Sequence, residues 1–149
     1  MRAVIQRVSK GSVKVNGEIV GKIDKGILAL IGISDSDNDE TIQYIIQKIL
    51  DLRIFEDDND KMNLSLKDIK GGLLVVPNFT LYGDCRKGRR PSYASGASVE
   101  NARLIFEKFM TQLKNSYDLV EQGVFQAEMQ VELLNDGPVT LLIDSERNF

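Results

Sequence analysis

Between Arg2 and Ser34 apolar and polar residues alternate in short runs. Ala3 and Ile5 fall on one side, Val4 and Val8 on the other, and Val13 and Val15 bracket Lys14. That period of two predicts half-buried strands. Asn16-Gly17 tolerates the left-handed backbone of a tight hairpin turn. After Gly26 the pattern becomes the nearly unbroken apolar run Ile27-Leu28-Ala29-Leu30-Ile31-Gly32-Ile33, which predicts a strand buried on both faces.

The period then lengthens. Asn38 or Asp39 can cap a helix reaching about Leu52, with Ile42, Ile45, Ile46, Ile49 and Leu50 on one face. A second helix, opened by Ser98, carries Ala102, Ile105, Phe106, Phe109, Met110 and Leu113 on its apolar stripe. Strands are expected around Arg53–Phe55 and Leu73–Val76. Near the end Met129, Val131 and Leu133 alternate with Glu128, Gln130 and Glu132. Asn135-Asp136-Gly137-Pro138 follows, and Val139, Leu141 and Ile143 alternate again. The expectation is one α+β domain over residues 1–149, with mainly antiparallel strands in a sheet or barrel-like core and two longer helices.

Composition narrows the chemistry. A chain of 149 residues with 42% hydrophobic content can bury a sizeable core. No run reaches the roughly 18–20 apolar residues of a membrane span, and no signal-peptide pattern opens the sequence. The single cysteine, Cys85, cannot form an internal disulfide, which suits a reducing cytoplasm. A net charge of −3 argues against indiscriminate nucleic-acid binding, though not against a local basic site. The chain holds no histidine, which removes serine–histidine and cysteine–histidine nucleophilic schemes and the usual zinc hydrolase ligands.

Several segments carry both a bland and a chemical reading. Asp35-Ser36-Asp37-Asn38-Asp39-Glu40 begins like a calcium loop, but Glu40 stands where glycine belongs and Ile46 where a bidentate glutamate belongs. Glu56-Asp57-Asp58-Asn59-Asp60 fails the same test, so no metal is expected. Arg86-Lys87-Gly88-Arg89-Arg90-Pro91 puts four cations into five residues, either a solvated loop or a set of phosphate contacts. Tyr82 and Tyr93 flank it and can stack a base or fill the core. Arg7 continues the face of Ala3 and Ile5. Periodicity alone favours an arginine snorkelling at a strand end; the alternative has its donors fixing carbonyls near a site. Asp136-Gly137-Pro138 reads first as a hairpin turn, with Pro138 leaving neighbouring carbonyls unpaired. Thr80 reads first as a β-branched strand residue, since a threonine nucleophile needs a base. Cys85 has no partner base either.

Taken in order, these stretches resemble the bacterial-type D-aminoacyl-tRNA deacylase family over essentially the whole chain. The resemblance is carried by Gln6-Arg7-Val8, Ser12-Val13, Lys61-Met62-Asn63-Leu64, Phe79-Thr80-Leu81, Gly88, Arg90-Pro91-Ser92, Gly96-Ala97, Met129-Gln130-Val131 and Asn135-Asp136-Gly137-Pro138-Val139-Thr140. It implies the fold of that family, no cofactor, and a cytoplasmic homodimer acting on aminoacyl-tRNA. The implied reaction removes D-amino acids, and glycine mischarged on tRNA-Ala, by ester hydrolysis. In the implied site Gly137 and Pro138 reach into the partner's pocket through a cis peptide and reject L-amino acids, held in place by Arg7. Phe79 and Thr80 line the pocket for the terminal adenosine and the scissile ester, beside Pro77, Asn78 and Met129. Backbone N–H groups and the tRNA 2′-hydroxyl carry catalysis, with Thr80's hydroxyl not essential. Arg86, Lys87, Arg89 and Arg90 become candidate phosphate contacts.

Two positions depart from the family's usual Ser-Gln-Phe-Thr-Leu. Pro77 removes a backbone donor, and Asn78 shortens the amide's reach by one methylene. A related animal tRNA deacylase family carries Pro-Gln-Ala-Thr-Leu. Two alternatives follow from the altered motif: a proofreading deacylase for another mischarged tRNA, and a non-catalytic tRNA- or nucleotide-binding module.

Overall fold

The computed structural model describes residues 1–149. Strand β1 (Arg2–Val15) organises the molecule. Along one edge it pairs first with β3 (Gly26–Gly32) through residues 2–8, and then with β2 (Glu18–Ile23) through residues 11–15. Along its other edge it pairs with β8 (Gln130–Asp144). A strand that serves three partners must bend, and the bend curls the sheet toward a barrel. Asn16 and Gly17 form the β1–β2 turn with the positive φ angles, 51° and 82°, that a type I′ hairpin requires.

Beyond β3 the sheet continues through β6 (Gly72–Pro77) and β7 (Val120–Gln122), giving six strands. β3–β6 and β6–β7 are parallel, so the sheet is mixed rather than uniformly antiparallel. At the β3–β6 edge Gly26 faces Gly72 so closely that a Cβ on Gly26 would stand 1.8 Å from the Gly72 carbonyl oxygen. A two-stranded ladder, β4 (Phe55–Glu56) with β5 (Met62–Leu64), sits apart. The strand expected around Arg53–Phe55 therefore begins later and is brief, because Leu52 closes the preceding helix and Ile54 turns back onto its carbonyl.

Helix α1 (Asp39–Asp51) is opened by a reciprocal cap in which Asn38 Oδ1 accepts from Glu40 and Thr41, while Thr41 Oγ1 accepts from Asn38. Helix α3 (Val99–Ser116) is opened by Ser98, and a single-turn helix, α2 (Leu66–Ile69), by Ser65. Ile42, Ile45, Ile46, Ile49 and Leu50 of α1 meet Phe106, Phe109, Met110 and Leu113 of α3 over one face of the sheet. Each such buried side chain contributes about 1.5–3 kcal/mol. A second cluster, Val8, Val13, Ile23, Leu28, Leu74 and Val76, fills the other face of the sheet.

The final hairpin of the sequence reading does not form. Residues 130–135 and 140–144 belong to one strand, and both stretches pair with β1: Gln6 faces Thr140, while Val8 faces Asn135. Residues 136–139 bulge out opposite Arg7. The local turn chemistry is real, but it interrupts a strand instead of reversing the chain.

Candidate active site

The bulge in β8 is fixed from beneath. Arg7 is only 5% exposed. Its Nε donates to the Asp136 carbonyl at 3.0 Å, and its Nη1 donates to the Ile54 carbonyl at 2.8 Å. The Glu56 and Asp136 carboxylates stand 3.6 and 3.5 Å from the guanidinium. Asn135 Nδ2 donates to the carbonyls of Arg7 and Val139, at 3.0 Å each, and so ties the two feet of the bulge together. The Gly137–Pro138 peptide is cis, and Gly137 has φ +129°. Both residues are exposed. Arg7 therefore holds carbonyls, and the snorkelling reading is corrected: its strand position carries it under the bulge and away from water.

A second feature lies where β6 ends. Pro77 closes the strand, and a 3₁₀ turn, Phe79–Tyr82, follows. Asn78 caps that turn: its Oδ1 accepts from the Thr80 N–H at 3.1 Å and from the Thr80 hydroxyl. Both donors of Thr80 are thus committed. The first N–H of a helical turn has no intrahelical acceptor, and none of the cap hydrogen bonds is donated by Phe79. The Phe79 N–H is left to meet a ligand, as is the Asn78 Nδ2 amide at the cleft wall.

Beside this turn opens a mainly apolar cleft of about 650 Å³. Leu30, Val76, Pro77, Asn78 and Phe79 form one wall, and Met129, just before β8, and Val131 of β8 stand with Phe125 and Gln126. Phe79 is 67% exposed and Tyr93 43%. Their rings meet edge to face at 5.2 Å, giving the mouth an unshielded aromatic surface on which a base can stack. Arg103 lies over the Phe125 ring at 5.1 Å and donates to Gln126, so helix α3 pins that wall. Tyr82, by contrast, is buried beneath the Arg2 guanidinium and offers no stacking face.

The two features do not meet within one chain. Pro77 pairs with Ile31 and Ile31 with Ala3, whereas Arg7 pairs with Ile27. Four residues of strand, about 13 Å, separate those rungs. None of residues 136–140 lines the cleft.

The basic loop is exposed throughout residues 85–90. Within it Arg86 is neutralised by Asp84, donating from Nε at 2.9 Å and Nη2 at 2.7 Å, with its backbone N–H adding a third bond at 3.0 Å. Those bonds hold the Asp84 carboxyl well below the usual carboxylate range and raise Arg86. Three cations of the expected four, Lys87, Arg89 and Arg90, remain outside any ion pair. The acidic segments serve the fold: Asp37 pairs with the Met1 ammonium and accepts from the Ser34 N–H, and Asp57 accepts from Asn59, Lys61 and Asn63.

The family model for D-Tyr-tRNA(Tyr) deacylase matches residues 4–144. The chain belongs to this family.

Among its relatives, the D-aminoacyl-tRNA deacylase of Thermosipho africanus is 57% identical over 149 residues, covering all of both chains. That of Clostridium botulinum strain Alaska E43 is 56% identical with the same coverage. A solved structure described as c-Myc DNA Unwinding Element Binding Protein superposes with TM-score 0.92 at 39% identity, covering 97% of this chain and 98% of that one. A structure described as a probable eukaryotic D-amino acid tRNA deacylase gives TM-score 0.81 at 19% identity, a likeness of fold.

In this deacylase-family chain Pro77, Asn78, Phe79 and Met129 come together at the cleft, while Arg7, Gly137 and Pro138 form a separate unit. Thr80 stands beside the cleft with its hydroxyl proton directed at Asn78. Of the two flanking tyrosines, Tyr93 takes the stacking place at the cleft. Asn135 was quoted only as part of a motif, and Phe125 and Gln126 were not singled out from the sequence. Asn135 had a signal, because an asparagine at the foot of an Asp-Gly-Pro segment suits a double donor. Gln126, with φ +62°, had none.

Proposed function

We propose that this protein hydrolyses the ester bond of D-aminoacyl-tRNA, releasing the free D-amino acid and tRNA. It acts in the cytoplasm as a homodimer in which Gly137-Pro138 of the partner subunit completes the cleft. The observation that carries this reading is the exposed Gly137-Pro138 bulge, fixed by Arg7 and Asn135 on a chain whose own cleft it does not line. A loop so tightly held and yet exposed is suited to inserting into a second copy.

In this reaction the terminal adenosine stacks on Phe79 and Tyr93, and the aminoacyl group enters the cleft. Water attacks the acyl carbon, the bond to the ribose oxygen breaks, and that oxygen leaves with a proton as a hydroxyl. The Phe79 N–H faces the developing oxyanion, which needs a donor fixed in advance. The 2′-hydroxyl of the tRNA assists the proton movements, as the family resemblance implies. Carbonyls of the bulge receive the substrate ammonium, and an L side chain clashes there. Glycine has no side chain to clash, so glycyl-tRNA is also a substrate. Pro77 removes the backbone donor that the family's usual serine has, while Asn78 keeps the amide of the usual glutamine with one methylene less reach.

Purified protein incubated with D-tyrosyl-tRNA and L-tyrosyl-tRNA tests this. Release of tyrosine from the D ester alone is expected; release from both, or from neither, sinks the proposal. Binding of tRNA without turnover would identify a non-catalytic module, and cleavage confined to another mischarged tRNA a different proofreading activity. Light scattering is expected to give a dimer mass.

A further inference from the structure

Lys10, Ser12 and Lys14 form a stripe along the second half of β1. β2 sets Lys22 opposite Ser12, and β8 sets Glu132 on its other side. These side chains line a shallow hollow of about 210 Å³. None of the three lysines forms an ion pair, since the lysine bridges of the molecule belong to Lys67 and Lys108. Three free ammonium groups against the single carboxylate of Glu132 reverse, locally, the sign of a chain whose net charge is −3.

An irregularity in β1 decides which way the stripe faces. Val8 and Val13 both enter the second core cluster, although an odd separation places them on opposite sides of a regular strand. The alternation is broken between them, where the β1–β8 register shifts between Val8 and Lys10. Lys10, Ser12 and Lys14 are thereby turned to the side of Ala3, Ile5 and Arg7. Arg7 holds the Gly137-Pro138 bulge, and Lys10 pairs with Leu134, one rung beyond Asn135 at the foot of that bulge. The stripe starts beside the bulge and runs away from it for four residues, about 13 Å.

We propose that Lys10, Lys14 and Lys22 bind backbone phosphates of the tRNA whose aminoacylated end lies in the cleft completed by the neighbouring Gly137-Pro138. The assignment rests on the deacylase reading. A substrate whose end is capped by the bulge must leave the site past it, and the lysine stripe is the charged surface that flanks the bulge. Ammonium groups on flexible stems act as point charges toward phosphate without reading sequence, which suits a substrate selected at its ester end. An acidic protein partner would have no reason to be placed next to the bulge.

The triple variant Lys10→Gln, Lys14→Gln, Lys22→Gln tests this, with its melting temperature compared to the parent as a check on folding. Steady-state cleavage of D-tyrosyl-tRNA should show KM raised about tenfold with kcat held. Binding of uncharged tRNA, titrated against salt, should lose about two to three units of the slope of log K on log salt, at roughly 0.7–0.9 for each of the three phosphate contacts. An unchanged KM and salt slope overturns the assignment. So does a weaker affinity with the slope intact, which would point to another kind of partner for these lysines. If the parent protein binds tRNA but does not cleave the D ester, the deacylase reading fails while the salt slope still decides the lysine site.

Discussion

The Arg7 guanidinium donates through Nε to the main-chain carbonyl of Asp136 at 3.0 Å, joining the middle of β1 to the first residue of the β8 bulge. The same side chain reaches the Ile54 carbonyl through Nη1 at 2.8 Å. Lysine, a single point of charge, cannot span both acceptors. Arg7→Lys is expected to lower unfolding free energy in urea by about 2 kcal/mol. It should also reduce the preference for D- over L-tyrosyl-tRNA at least tenfold. Retained stability and chiral preference would mean that the bulge is held by Asn135 alone.

Gly137 is a position where backbone and space agree. Its φ of +129° is one that L side chains rarely adopt, and a Cβ there would stand 2.8 Å from Arg7 Nη2 and 3.0 Å from Val139 Cγ2. Gly137→Ala should cost about 1–3 kcal/mol. It should also displace Arg7, so combining it with Arg7→Lys should cost less than the sum of the two. Strict additivity in a double-mutant cycle would argue against that coupling.

Asn78 is the family-variant residue with the clearest local task, capping the turn that presents the Phe79 N–H. Asn78→Ala should lower stability by about 1 kcal/mol and kcat on D-tyrosyl-tRNA about tenfold. Serine also caps well, so Asn78→Ser should recover most of both losses. Failure of serine to rescue activity would place the Asn78 amide against the substrate and remove it from a purely capping role.

The two long helices were legible because their signal is local and repeated: Ile42, Ile45, Ile46 and Ile49 obey a period of 3.6, and Asn38 and Ser98 cap the starts. The Asn135–Pro138 segment was misread because turn chemistry is the same within a strand and at its reversal. What separates the two cases is that Thr140 and Asn135 both pair with β1, a relation more than a hundred positions away in sequence. β7 escaped notice because three residues are too few to show a period. Phe79, Met129, Gly137 and Pro138 were found through resemblance, but neither motif alone says that a cleft and a bulge lie at different ends of one chain. Phe125 and Gln126 join the cleft through packing on α3, which leaves no mark in their own neighbourhood.

Asp84 masks one cation of the basic loop. Because Arg86 holds its carboxyl far below the ordinary range, Asp84 stays ionised and the pair stays closed at any pH above 5. The pair is exposed, so its effect on stability is slight. Asp84→Asn should instead free Arg86 for phosphate, tightening tRNA binding at low salt and steepening the salt slope by about 0.7–0.9. Nitrocellulose filter binding across a salt series measures it. An unaltered slope would show that Arg86 lies beyond reach of the RNA.

Tyr82 predicts how stability changes in alkali. Burial pushes its phenol up from the ordinary value, the Asp37 carboxylate adds to the rise, and the Arg2 guanidinium 4.5 Å from the ring centroid opposes it. In the unfolded chain the phenol titrates near pH 10. Below that pH both states keep the proton, and Tyr82 adds no pH dependence. Above it the unfolded state holds fewer protons than the folded state, so stability falls as pH rises, by up to about 1.4 kcal/mol per pH unit. Tyr82→Phe keeps the ring under Arg2 and removes the titration. The stability difference between the two proteins, from urea unfolding, should be constant between pH 8 and about 9.5 and then move in favour of phenylalanine at each step toward pH 11. A constant difference over the whole range would mean that the Tyr82 hydroxyl titrates equally in both states, as it would if the side chain stood in water.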